Sequence, residues 1–255
     1  MLVATYNVNS IRARLNLLQE WLQRVDIDIL CLQETKTLDD NFPKEELGRL
    51  GYQCTILGQK AYNGVAICSK KLPHKTINKF DDEILNEQKR LIGIAIDDIE
   101  IYSVYAPHGD ARGMDKYHYK LRWYDAFIKF IGQRQGKVIL AGDFNIAHKD
   151  MDVYDTVILN DVIGTMAEER AYLDRLIENG FIDTFRLIHP KEKKFSWWDY
   201  TAGAIWKDEG MRIDYIFCSK SFEGYLKDAS IDIWPRKRRT PTPSDHTPVI
   251  ASFVI

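Results

Sequence analysis

Residues 137–145 read KVILAGDFN, an apolar run that stops abruptly at an acid and an amide. Val138 to Ala141 present no polar side chain to either side, which fits a strand covered on both faces better than one with a wet face. Gly142 allows a sharp turn, and Asp143 and Asn145, two apart, can point to the same side. DILCLQE at 28–34 repeats the pattern and runs out at Glu34. The same reading predicts strands at Leu2–Val8, Asp28–Gln33, Tyr52–Leu57, Val65–Ser69, Leu91–Ile96, Glu100–Tyr105, Lys137–Ala141, Met211–Cys218, Ala229–Ile233 and Val249–Val254. Between them lie three helical stripes. Ile11, Leu15, Leu18, Leu22 and Val25 follow Ser10 as N-cap; Tyr117, Leu121, Tyr124, Ile128 and Ile131 form the second; Leu173, Leu176 and Ile177 mark the third. So many strands exceed one open sheet, and two stacked sheets flanked by helices would accommodate them.

The 255 residues are 45% apolar and 28% charged, enough for one large core. No Gly/Ser linker, low-complexity tract or repeat divides them, so a single domain over 1–255 is expected. The first residues enter a strand pattern with no signal-type apolar segment, and no apolar run nears the roughly 20 residues that span a bilayer. A cytoplasmic protein without membrane contact is expected. Cys31, Cys54, Cys68 and Cys218 lie apart in apolar segments and read as reduced core thiols. A net charge of −2 argues against a general nucleic-acid coat protein. Arg12, Arg14 and the run Arg236, Lys237, Arg238 and Arg239 are local exceptions, read either as solvated loops or as a basic face.

The polar residues fall at strand ends. The first strand closes on Asn7 and Asn9, the second on Glu34, and KVILAGDFN on Asp143 and Asn145. Asp214 interrupts the apolar strand MRIDYIF, where an unpaired carboxylate would be costly to bury. Asp245 and His246 stand side by side in TPSDHTPV (242–249), in front of the final strand. Each alone is ordinary turn chemistry. Together they suggest phosphate-ester hydrolysis with a hard metal ion: oxygen ligands such as Glu34 and Asp245 suit Mg²⁺ or Mn²⁺ rather than Zn²⁺. A second carboxylate can then serve as base, and Asn and His donors can steady charge on phosphoryl oxygens. His246 is also a partner that Asp214 could use.

The segments YNVNSIRAR, DILCLQETK, GQKAYNGVAI, LAGDFNIAH, FSWWDY, GMRIDYIF and PSDHTPV, in that order, resemble the exonuclease III-type enzymes, the class II abasic-site endonucleases of the exonuclease/endonuclease/phosphatase superfamily. The resemblance spans essentially the whole chain. It implies an α/β fold of the deoxyribonuclease I-like kind, a four-layer α/β/β/α sandwich whose site lies at one edge of two mixed sheets. It also implies a Mg²⁺-dependent DNA-repair phosphodiesterase, with one or two ions and Mn²⁺ as a substitute. Such an enzyme works as a monomer on double-stranded DNA, cutting 5′ to abasic sites and trimming 3′ ends. By the same resemblance Glu34 and Asn7 belong to the metal, with Asp245 near it and Asp143 and Asn145 around it. Asp143 activates water, Asn145 binds phosphate, Asp214 orients His246, and Tyr105 of VYAP is a phosphate ligand or proton donor. Lys36, Lys60, Tyr62, Asn63 and Arg90 fall to substrate contacts, and Trp197 and Met211 to the walls of a pocket for an extruded abasic sugar. Core packing is the plain alternative for those last two.

The chain also departs from that pattern. Asn9 stands where some relatives have Asp, and His108 where they have Asn or Gln. Residues 151–170, MDVYDTVILNDVIGTMAEER, are shorter and less basic than the corresponding loop, which borders the DNA groove in the family. That leaves the balance between abasic-site incision and 3′-end processing open. Two further alternatives are a phosphatase or RNA-directed nuclease on the same scaffold, and a catalytically silent DNA-binding protein.

Overall fold

Burial alternates along the apolar runs so that each central strand feeds two different cores. The computed structural model describes residues 1–77 and 82–255. Its strands are β1 (Leu2–Asn7), β2 (Ile29–Gln33), β3 (Gln53–Leu57), β4 (Val65–Ser69), β5 (Lys75–Ile77), β6 (Leu91–Ile96) and β7 (Ile99–Tyr105). They continue as β8 (Lys137–Asp143), β9 (Phe181–Asp183), β10 (Trp197–Trp198), β11 (Gly210–Met211), β12 (Asp214–Ser219), β13 (Leu226–Ile231) and β14 (Val249–Phe253). One six-stranded sheet has the order β13-β14-β1-β2-β4-β3, the other β5-β6-β7-β8-β12-β9, and β10 pairs with β11 apart from both. Both large sheets are mixed, since β1–β2 and β7–β8 are parallel and their other neighbours antiparallel.

On β8, Ile139 and Ala141 join the core between the sheets, where they meet Cys31 of β2 and Val3 of β1. Val138 and Leu140 face the other way, against Phe127 and Ile131 of helix Asp115–Gly132 and Leu173 and Leu176 of helix Ala167–Glu178. β2 behaves likewise: Ile29 and Cys31 point between the sheets, while Leu30 and Leu32 pack with Leu18, Trp21 and Leu22 of helix Ile11–Arg24. The order helix, sheet, sheet, helix is the four-layer α/β/β/α sandwich. Gly142 is required where β8 passes β7, because a Cβ there would lie 1.9 Å from the Val104 carbonyl oxygen.

Several expectations are corrected. Cys54 and Cys68 form a disulfide rather than two thiols, because antiparallel β3 and β4 place them directly opposite each other. Cys31 and Cys218 are free and buried. Ser10 occupies the N-cap position but its side chain caps nothing; its N–H donates to the Glu34 carbonyl at 2.8 Å and that of Ile11 to Thr35 at 3.2 Å. The helix start is therefore capped by the loop after β2. Ile177 faces solvent at 41% exposure, and Tyr172 takes its place on the buried stripe. The expected Met211–Cys218 strand is broken into β11 and β12 at Arg212, whose N–H leaves the sheet to bond the Asp152 carbonyl.

Arg212 is the reason for the break. Its buried guanidinium sits 2.8 Å from Asp152 Oδ1 and 2.8 Å from Asp183 Oδ2, over the Tyr215 ring at 4.4 Å. Removing one partner of a buried charge cluster strands the others. Arg212→Met should therefore cost about 3–5 kcal/mol, read as a lower denaturant midpoint; an unchanged midpoint would mean Asp152 and Asp183 are satisfied without it.

Candidate active site

Strand register brings the polar ends together. Across the second sheet Tyr105 pairs with Asp143, and Asp143 with Asp214, so the ends of β7, β8 and β12 lie in one row. In the first sheet Asn7 pairs with Gln33, which sets Glu34 beside it at the same end. Asn7 joins the two: its Nδ2 donates to Glu34 Oε1 at 2.8 Å and to Asp143 Oδ2 at 2.9 Å. Glu34, Lys36, Asn145 and Asn9 all have left-handed backbone, with φ of 50°, 51°, 51° and 43°. Such strain concentrates where a surrounding structure holds functional side chains in place.

A cavity of about 300 Å³ opens on this row, lined by Glu34, Tyr105, Asp143, Asn145 and His246 with Trp197 and Met211 as apolar walls. His246 Nδ1 lies 2.9 Å from Asp214 Oδ2, and its Nε2 lies 3.8 Å from Asp143 Oδ2. Asp143 accepts the Asn145 N–H at 2.9 Å. Asp245 shares the cavity, with its oxygens accepting from Asn9 Nδ2 at 3.0 Å and Trp197 Nε1 at 3.1 Å. Lys36 bridges Glu34 at 2.8 Å and Asn9 Oδ1 at 2.6 Å.

The electrostatics follow from burying so many acids together. Burial, with Asp214 and Glu34 adding negative charge against the pull of His246, pushes the Asp143 carboxyl up to about 7. Burial pulls the His246 imidazole down, but Asp214 and then Asp143 outweigh it and the ring rises to about 10. It is an imidazolium at neutral pH, donating from Nδ1 to Asp214 and leaving Nε2–H toward Asp143 and the cavity. Burial raises the Glu34 carboxyl, but bonds from Lys36 and Asn7 bring it below its ordinary value. The Tyr105 phenol is held well above its usual range by burial and by the Glu34 charge, so it stays a donor.

The Endonuclease/Exonuclease/phosphatase family model matches residues 4–246. The chain belongs to that family. Among its relatives in the endonuclease/exonuclease/phosphatase family is an exodeoxyribonuclease of Bacillus subtilis (strain 168), 33% identical over 98% of each chain. A 3′ phosphatase from Neisseria bound to product DNA hairpin superposes with a TM-score of 0.96 and 35% identity over 100% of both chains. An AP endonuclease from Archaeoglobus fulgidus gives 0.95 and 34%, again over 100% of both. The chain is a nuclease of the endonuclease/exonuclease/phosphatase family, in which metal dependence is the norm.

The residues singled out for substrate divide into two groups. Lys36, Tyr62, Asn63 and Arg90 line a second, more polar cleft of about 610 Å³ that meets the first at Glu34, Tyr105 and His108. Lys60 lies outside that lining. Asn63 turns its amide inward to Gln59 at 3.0 Å, and Arg90 lies over the Tyr105 ring at 4.6 Å. Residues of the basic run have structural partners: Arg236 is buried and donates to the carbonyls of Asp245 and Trp198, which fixes the Asp-His turn from behind. Ser244 and Ser196 were not anticipated. Ser244 Oγ donates to the Asn7 carbonyl at 2.7 Å, and Ser196 Oγ accepts the Asp214 N–H at 3.0 Å, so each ties a strand end to the loop beside it. Ser244 stands in the quoted octet, where its nearness to Asp245 was the available signal.

Proposed function

We propose that this chain is a Mg²⁺-dependent DNA-repair phosphodiesterase, a single catalytic domain that acts as a cytoplasmic monomer on double-stranded DNA. It incises 5′ to abasic sites and trims or cleans 3′ ends, leaving a 3′ hydroxyl. The observation that carries this reading is the Asn7 amide bonded to Glu34 and Asp143 at once, which joins an acidic end of each sheet in one cavity. That cavity has apolar walls in Trp197 and Met211, fit for a sugar without its base.

The donor set suits a hard divalent cation. Glu34, Asp143, Asp214 and Asp245 converge against Lys36 and the His246 imidazolium, an excess of negative charge among oxygen donors even with Asp143 only partly ionised. Ligand atoms of Glu34, Asp143 and His246 lie within 4.8 Å of one another. Of these, Glu34 and Asp143 offer the carboxylates, with Asn7 and Asn145 beside them; the charged imidazole is a phosphate donor instead. Held by Glu34 and Asp143, such an ion would supply Lewis-acid stabilisation of charge developing at the phosphate. The protein's own groups do the rest. His246 Nε2–H holds a phosphoryl oxygen, Asp214 keeps the imidazole oriented, Asn145 braces the Asp143 carboxylate through its N–H and its amide, and the Tyr105 phenol donates a hydrogen bond. Asp143, whose carboxyl is raised to about 7, takes the proton of the attacking water. Lys36, Lys60, Tyr62 and Arg90 bind the DNA backbone, while Asn63, its amide bonded to Gln59, shapes the cleft behind them. Asp245 steadies the metal side of the site through its own turn.

The test uses two end-labelled duplexes, one with an internal stable abasic analogue and one with a recessed 3′ end. Cleavage is expected to stop in EDTA and return with Mg²⁺ or Mn²⁺; cleavage that survives EDTA would overturn the metal reading. The likeness to a Neisseria 3′ phosphatase favours one second reading, 3′-end processing with little incision. Trimming of the recessed end with the abasic duplex intact would establish it.

A further inference from the structure

Three backbone points of the catalytic cavity hang from one buried ion pair. Lys120, on the helix that covers the second sheet, and Glu169, at the start of the next long helix, are both 0% exposed and 2.6 Å apart. Lys120 Nζ also donates to the carbonyls of Asn145 at 2.8 Å and His108 at 3.0 Å. Glu169 Oε2 accepts the N–H of Gly164 at 2.6 Å and of Met166 at 3.2 Å. His108, Asn145 and Gly164 all line the cavity, and Ala147 N–H closes the ring on the Gly164 carbonyl at 2.7 Å. Every proton of the ammonium is used.

The neighbouring glutamate makes an outer counterpart. Glu168 accepts from Arg112 Nε at 2.5 Å and from the Tyr117 hydroxyl at 2.6 Å, and Arg112 also grips Asp161 through Nη1 at 2.6 Å. Arg112 belongs to the segment after His108, and Asp161 to the divergent 151–170 stretch, shortly before Gly164. Consecutive glutamates thus fasten that loop twice, once in the interior and once at the surface.

We propose that this double clasp positions the cavity wall, with Lys120 and Glu169 as the inner positioning residues and Arg112 as the outer one, and that it sets the balance between an internal abasic site and a 3′ end as substrate. The inference deepens the nuclease reading above and rests on it. Replacing both partners of a buried charged pair avoids the unpaired charge that a single substitution leaves, whereas a wall displaced by about 1 Å can cost ~10² in rate. The double variant K120M/E169Q removes both charges and keeps the shape. It should still fold, melting below the parent because the Asn145 and His108 carbonyls lose their donor, and lose ~10–10²-fold in kcat on DNA, with KM changed far less. Arg112→Gln, at the surface, should fold normally and lower kcat/KM on the abasic duplex relative to the recessed 3′ end.

Amide hydrogen exchange across 163–166 gives a readout independent of turnover. Protection there should fall in the double variant while that of β8 stays. Parent-like kcat in both variants, or lost turnover with 163–166 still protected, would overturn the clasp. A double variant that unfolds leaves Arg112→Gln to decide by its substrate ratio, an unchanged ratio overturning the proposal. A parent that cleaves neither duplex would instead sink the nuclease reading, and exchange at 163–166 would still decide whether the pair holds the wall.

Discussion

Asp143→Asn is expected to lose about 10²–10⁴-fold or more in turnover while DNA binding persists. The amide keeps the size of the carboxylate and can still accept the Asn145 N–H, so the turn after β8 should survive. What disappears is a basic site tuned to near neutrality by burial, where a base best balances availability against strength. Single-turnover cleavage measured beside equilibrium binding separates the possibilities. Parent-like turnover would remove Asp143 from proton transfer, and lost binding would make it chiefly a ligand to metal.

Asp214→Asn carries the second large effect without touching substrate. Asp214 lies on the row beside Asp143 and holds His246 Nδ1 through both oxygens, at 2.9 and 3.1 Å. With a neutral amide the imidazolium loses its principal counter-charge, so its pKa falls and the ring can present the wrong tautomer. Where a carboxylate orients an imidazole in serine proteases, the same substitution costs about 10⁴ in kcat; a loss of that order is expected here. The sign of the accompanying pH change follows. The raised pKa keeps the ring charged toward alkaline pH, so in the variant the alkaline limb of the rate profile should move to lower pH. A variant with the parent's rate and limb would dissolve the dyad.

Much of this arrangement was legible in the chain because buried strands have no use for acids. DILCLQE and KVILAGD each spend their apolar residues and then place a carboxylate at the rim, and that contrast marks Glu34 and Asp143 directly. Asp214 stood out for the opposite reason, as an acid inside MRIDYIF. Arg212, two residues earlier, interrupts the same strand, and its charge was the signal for a buried partner cluster. Lys120 gave a similar signal: it falls three after Tyr117 and four before Tyr124, on the apolar stripe of its helix, where a lone ammonium demands a buried acid. Its acid is Glu169, on a different helix, and nothing local could name it. The Cys54–Cys68 bond was hidden for the same reason. Pairing depends on the register of β3 against β4, which a turn sequence alone leaves free.

The position of β14 has a consequence for synthesis. This strand is the last in chain order, yet it lies inside the first sheet between β13 and β1, and the Asp-His turn directly precedes it. Domains emerge from the ribosome amino end first, so Asn7, Glu34 and Asp143 exist long before His246 and its neighbour Asp245. A nascent chain that already holds Glu34 and Asp143 still lacks the imidazolium that would grip a phosphate. The first sheet, and with it the cavity, is therefore complete only once the chain has been made through Phe253.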